Sequence, residues 1–246
     1  MDEDGGEFGF DDALDAIGVE SRLLSEAVAS ADLDVRVPTT PKWSVRDLAH
    51  HIGTVQRYWS ENVRAKNSDE RAGGSLTPLP VDNDLLAWLG WCTYSLLGAL
   101  RDAGPNSPCW AWWGDPTPHT AGAVARHQAQ EVAVHRWDAQ GSIGSSTPLP
   151  PELATDGVPE FIEVMVGPDI AALRGLVTLH AVDGGGRWKV GADASRPDGA
   201  PGRTAELHAT ASDLVLMLYR RLAVPDAIVD GDPILVASLL SLADTS

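Results

Sequence analysis

Four stretches within the first 141 residues, roughly 11–29, 44–65, 82–103 and 119–141, repeat apolar side chains at intervals of three and four. That spacing puts one apolar stripe on each of four helices. Four such stripes have to be buried against one another, and the compact solution is a four-helix bundle. The connections carry residues that end helices: Pro38 and Pro41 before the second, Gly73, Gly74, Pro78 and Pro80 before the third, and Gly104, Pro105 and Pro108 after it. Gly141 then opens GSIGSSTPLPP, a stretch of linker composition over 141–150. The expected division is a bundle domain over 1–145 and a second domain over 151–246.

Beyond residue 150 the pattern changes. A short helix is expected over 151–166, followed by LVTLHAV, a DGGG turn and RWKV, which together form a β-hairpin. TAELHAT supplies a third strand. A helix is expected from near Ser212, with Thr210 and Asp213 as its capping pair, and a last helix follows Asp232-Pro233. The whole chain is therefore expected to be α+β, a four-helix bundle followed by a smaller α+β domain, without internal repeats.

The charge balance narrows the function classes. With 18 basic and 35 acidic residues the net charge is −17, which disfavours nucleic acid and anionic membrane as partners. Seven acids lie in the opening MDEDGGEFGFDDALD, so part of the imbalance belongs to a start expected to be frayed over 1–10. No apolar run approaches a membrane span of roughly 20 residues, and the N-terminus lacks the features of a signal peptide, so the protein is expected to be cytoplasmic. Cys92 and Cys109 stand outside any Cys-x-x-Cys pattern and read as reduced thiols.

Three residues invite chemistry. In SVRDLAHHIGTVQRYWSENV, Ser44 and Asp47 form a capping box that starts the helix at Val45. On its wheel Val45, Leu48, Ile52, Val55, Trp59 and Val63 form the apolar stripe; His51 falls about 90° from its centre and His50 about 170° away. His51 can therefore reach the bundle interior, whereas His50 should meet water. In TAGAVARHQAQEVAVHRWDAQ, Glu131 and His135 are one turn apart and can address one ion. Gln128, His127 and Asp138 share that face. Periodicity alone also allows this polar stripe to be an ordinary solvated face, with Ala125, Ala129, Val132 and Ala133 buried opposite. Two imidazoles and a carboxylate would suit a divalent cation, zinc first, and would leave a coordination position open.

At these residues the chain resembles the mycothiol-dependent maleylpyruvate isomerase family, a branch of the DinB-like metal-binding bundles. PKWSVRDLAHHIGTVQRYW looks like one of its signatures and EVAVHRWDAQ like the other. PELATDGVPEFIEVM and ASDLVLMLYRRL with VDGDPILVASLL resemble its C-terminal domain. The resemblance implies a metal held by His51, Glu131 and His135, usually zinc, and mycothiol as thiol cofactor or cosubstrate. It also implies a cation in the second domain that binds a substrate carboxylate, placed at Arg221 with Arg220 one register away. An arginine in the last turn of a helix has an equally plain explanation in the macrodipole. Gln130 departs from the pattern, standing where many members have a histidine, and would alter a supporting hydrogen bond.

A cation at such a site stabilises thiolate over thiol, so the resemblance implies addition of mycothiol to an electrophilic small molecule, an S-transferase type of reaction. The same set serves maleylpyruvate cis–trans isomerisation, metal-assisted hydrolysis without thiol, or a non-catalytic metal or small-ligand binder. Monomer and homodimer are both compatible with the sequence. Among the other polar residues, His127 is a weak third ligand on its helix and His119 precedes that helix. His180 and His208 lie on strands as packing or exposed residues. Asp138 either orients His135 or pairs at the surface.

Overall fold

The computed structural model describes residues 8–72, 74, 79–192, 202–225 and 228–243. Most of the start expected to fray, residues 1–7, and the breakers Gly73 and Pro78 lie outside the described residues. The chain is α+β and divides into two compact units, residues 1–112 with 118–147 and residues 113–117 with 148–246.

The first unit is built on α1 (Phe10–Ser30), α2 (Val45–Ala65), α3 (Leu85–Ala103) and α4 (Ala121–Gly141). α1 packs along α4 and α2 along α3, burying Leu24, Leu48, Ile52, Leu89 and Val132 at 2% exposure or less. The helix starts follow their caps. Ser44 Oγ accepts from Asp47 N at 3.2 Å while Asp47 Oδ2 accepts from Ser44 N at 2.8 Å, so α2 begins at Val45 as its capping box requires. Thr120 caps α4 with a single bond, its side chain accepting from Ala123 N.

One feature of this unit departs from expectation and a second decides between two open readings. The residues around Pro38 and Pro41, expected only to separate helices, form a small hairpin of β1 (Arg36–Val37) and β2 (Thr40–Ser44). And α4 has no solvated polar stripe. Ala125, Ala129, Val132 and Ala133 are buried, but so are His127, Gln128, Gln130, His135, Arg136 and Asp138. The polar face is covered because Arg136 forms a buried ion pair with Glu20 of α1, Nε to Oε2 at 2.7 Å, and because Asp138 is met by the hairpin. Buried charge persists only when it is paired.

The second unit opens with α5 (Pro151–Phe161). The expected helix to residue 166 instead widens into a π turn over 162–166. Pro159, which cannot donate a backbone hydrogen bond, lies just ahead of the change. β3 (Leu176–Ala181) and β4 (Gly186–Gly191) form the expected hairpin, in register Leu176↔Gly191 to Ala181↔Gly186. β5 (Thr204–Ala209) pairs parallel with the other side of β3, and β6 (Val229–Gly231), which the sequence did not announce, completes a sheet of order β4-β3-β5-β6. Val177, Leu179, Ala205 and Leu207 face the buried side. α6 (Ala211–Leu218), capped by Thr210 on Asp213 N, and α7 (Pro233–Leu240), capped by Asp232 on Ile234 N, pack against β3 and β5. Among the described residues no helix is long and apolar enough to cross a membrane.

Candidate metal centre

α2 and α4 bring the three candidate donors together within the first unit. Single ligand atoms of His51, Glu131 and His135 lie within 4.8 Å of one another. Glu131 Oε1 stands between the imidazoles, 3.0 Å from His51 Nε2 and 3.5 Å from His135 Nε2. Donors bound at about 2.1 Å around one zinc ion are separated by about 3.0–3.4 Å, so the two spacings from Glu131 are close to those of neighbouring ligands of a single cation. Side-chain exposure falls from 31% at His51 to 18% at Glu131 and 7% at His135. The site therefore opens on the His51 side.

His135 is held from behind. Its Nδ1 lies 2.9 Å from Asp138 Oδ2, and the Asp138 side chain is fully enclosed. The carboxylate accepts the Nδ1 proton and leaves Nε2 facing Glu131, the arrangement by which a second carboxylate fixes a ligating histidine. Asp138 thus orients His135 and is not a surface residue. Trp43 of β2 packs over both rings, with centroids 4.6 Å from His51 and 5.9 Å from His135.

The electrostatics follow from this crowding. Burial alone would lower His135, but Glu131 and Asp138 beside it lift its pKa to about 9. Burial alone would raise Glu131, yet the two imidazoles, His135 foremost, hold its carboxyl well below the ordinary range. Glu131 is thus an anion across the physiological range, the state a cation requires of it.

Beside His51 lies an open cavity of about 500 Å³ lined by Lys42, Trp43, Asp47, His50, Thr54, Val55 and Leu79. His50, expected to meet water, is half-buried, lining this open cavity while it sets its ring edge-on to Trp88 and encloses Nε2. The wide Trp88 ring extends over that flank of α2. His127 is packed between Trp59 and Trp112, away from the trio, and is not among the grouped donors. His119 immediately precedes α4, as expected, and its carbonyl accepts from Cys109 N.

In the second unit the two candidate arginines differ. Arg220 adopts a left-handed backbone, φ 59°, and its guanidinium donates to the carbonyls of Leu240 and Ala243, tying down the end of α7. Arg221 donates to the Tyr219 carbonyl at 2.9 Å. His180 and His208 sit side by side on β3 and β5, Nδ1 to Nδ1 at 3.1 Å. Both cysteines are free and buried, and burial pushes each thiol up to about 12.

Sequence reasoning missed Thr39 and Trp43 beside the centre, and the Glu20–Arg136 pair that helps cover α4. Trp43 and Arg136 lie inside the two segments that carry the resemblance, but only His51, Glu131 and His135 stood out there as candidate ligands.

A helical unit presenting two imidazoles and a carboxylate, followed in the chain by a mixed-sheet unit, defines an α+β protein with a possible metal site. Residues 14–140, more than half of the chain, match the family model described as the mycothiol maleylpyruvate isomerase N-terminal domain. The chain belongs to that family. Its fold is similar to the crystal structure of the mycothiol-dependent maleylpyruvate isomerase, with a TM-score of 0.59, and to a histidine-to-alanine mutant of that protein, with a TM-score of 0.61. Each is 13% identical, and each match covers 91% of this chain and 92% of the other. No curated protein sequence matches the chain.

Proposed function

We propose that the chain is a metal- and mycothiol-dependent enzyme that joins the thiol of mycothiol to an electrophilic small molecule, a reaction of the S-transferase type. The observation that carries this reading is the donor trio, with His135 oriented by Asp138, opening beside a cavity of about 500 Å³. His51, Glu131 and His135 would hold the cation. Zinc is the first candidate, since imidazole and carboxylate suit it. When bound there, a divalent cation favours thiolate over thiol at neutral pH.

The chain's own residues supply the rest. Asp138 keeps the Nδ1 proton of His135 away from the ligand face, and Glu131 supplies the negative charge. Trp43 lies against both rings. Trp43, Val55 and Leu79 give the cavity an apolar wall, and Lys42 offers an anionic substituent of the electrophile a partner. Arg221 is the proposed cation of the second unit, at the position the family resemblance implies, with its guanidinium also donating to the Tyr219 carbonyl. Cytoplasmic residence fits a thiol cosubstrate.

The structural relatives' name favours a second reading, mycothiol-dependent cis–trans isomerisation of maleylpyruvate, which would use the same residues. Elemental mass spectrometry of purified wild type, His51→Ala and Glu131→Ala tests the centre first. About one zinc per chain is expected in the wild type, with loss in both variants. The loaded protein should then consume a simple electrophile only in the presence of mycothiol. Wild type that holds no metal, even after added zinc, overturns the proposal. Consumption without thiol replaces it with metal-assisted hydrolysis.

A further inference from the structure

The β1–β2 hairpin reaches the centre from beyond both ligand-bearing helices. Thr39, in the connection between its strands, donates its hydroxyl to Asp138 Oδ1 at 2.5 Å, while Asp138 Oδ2 takes the Nδ1 proton of His135 at 2.9 Å. The Asp138 carboxylate is wholly enclosed, so it turns freely only if a bound oxygen is given up, and a lost partner is not replaced by solvent. Five residues further along, the same hairpin becomes Ser44, the N-cap from which α2 carries His51. Between the two anchor points Trp43 lies on both rings. One short strap therefore touches the carboxylate behind His135, the face of both imidazoles, and the start of the helix that bears the other ligand.

We infer that Thr39 is a positioning residue of the centre: its hydroxyl fixes the Asp138 carboxylate, which holds the Nδ1 proton of His135 and turns Nε2 toward the cation. The inference rests on the metal reading proposed above. A purely structural role would be to satisfy a buried carboxylate, and that role would affect folding alone. Threonine is suited to the test because valine copies its shape without the hydroxyl and serine keeps the hydroxyl without the methyl group.

Two readouts separate the roles in wild type, Thr39→Val and Thr39→Ser. In chelator-treated protein the Nδ1 proton of His135, bonded to Asp138, should give a slowly exchanging downfield proton resonance, identified by its absence in His135→Gln. We expect it in wild type and Thr39→Ser, and expect it broadened or lost in Thr39→Val. Zinc dissociation constants by competition with a chromogenic chelator should rise about tenfold in Thr39→Val, the lower end of what loss of a ligand's support costs, with rescue in Thr39→Ser. Thr39→Val that binds zinc as tightly as wild type, with or without a lower melting temperature, overturns the positioning role alone. Failure of wild type itself to bind zinc overturns the metal reading and the positioning role together.

Discussion

Glu131 serves two imidazoles with one oxygen, and without a cation between them the three groups form a charge cluster whose protonation is coupled to folding. His135, ordinarily near 6.5, is lifted to about 9, so its contribution to stability is complete below about 6.5 and is lost as the pH rises through 9. Glu131 is lowered from an ordinary 4.5, so its contribution is complete above that value and is lost as the pH falls through the lowered one. Chelator-treated protein should therefore be most resistant to urea between about pH 4.5 and 6.5 and should weaken toward pH 10. His135→Gln should flatten the alkaline arm, and an unchanged slope would contradict this account. At this scale the one-turn spacing of Glu131 and His135 offered them as candidate ligands but left a solvated face open, and it was the family resemblance that joined His51 to them. Thr39 and Glu20 were not legible, because each acts on a residue about a hundred positions away, Thr39 on Asp138 and Glu20 on Arg136. Nothing local in PTTPK or VESR announces such a partner.

At the scale of elements, α2 and α3 lie close because Gly53 offers no side chain where the Trp88 ring passes. A Cβ at that position would overlap the ring, and the ring is itself set against His50. Gly53→Ala should destabilise the first unit by about 1–3 kcal/mol, the usual cost of overpacking, read as a lower urea midpoint. A neutral result would mean that the ring swings aside freely. The starts of α2, α6 and α7 were legible from Ser44, Thr210 and Asp232, since a cap is a local contract between a side chain and the next turn. The hairpin before α2 was not, because its strands are two and five residues long and two prolines mask them as linker. β6 escaped for the same reason. The environment of α4 stayed open on one face, because periodicity separates the faces of a helix without stating whether both are covered.

For the molecule as a whole, the change from helical to alternating periodicity near residue 150 made the α+β class legible. The parallel pairing of β3 with β5 did not follow from pattern, since strand order is set by packing between distant segments. The burial of Cys92 in α3 and Cys109 after it gains a meaning from the proposed chemistry. A catalyst that handles electrophiles in the presence of a soluble thiol is exposed to alkylation by its own substrates. With both thiols enclosed and pushed up to about 12, the thiolate fraction at neutral pH is negligible. Native protein should resist maleimide or iodoacetamide for hours and take up two labels per chain only once unfolded, as counted by intact mass; rapid labelling of the native chain would contradict it. Under the proposed chemistry the fold would shield its own sulfur from self-inactivation, leaving the borrowed thiol as the reactive nucleophile.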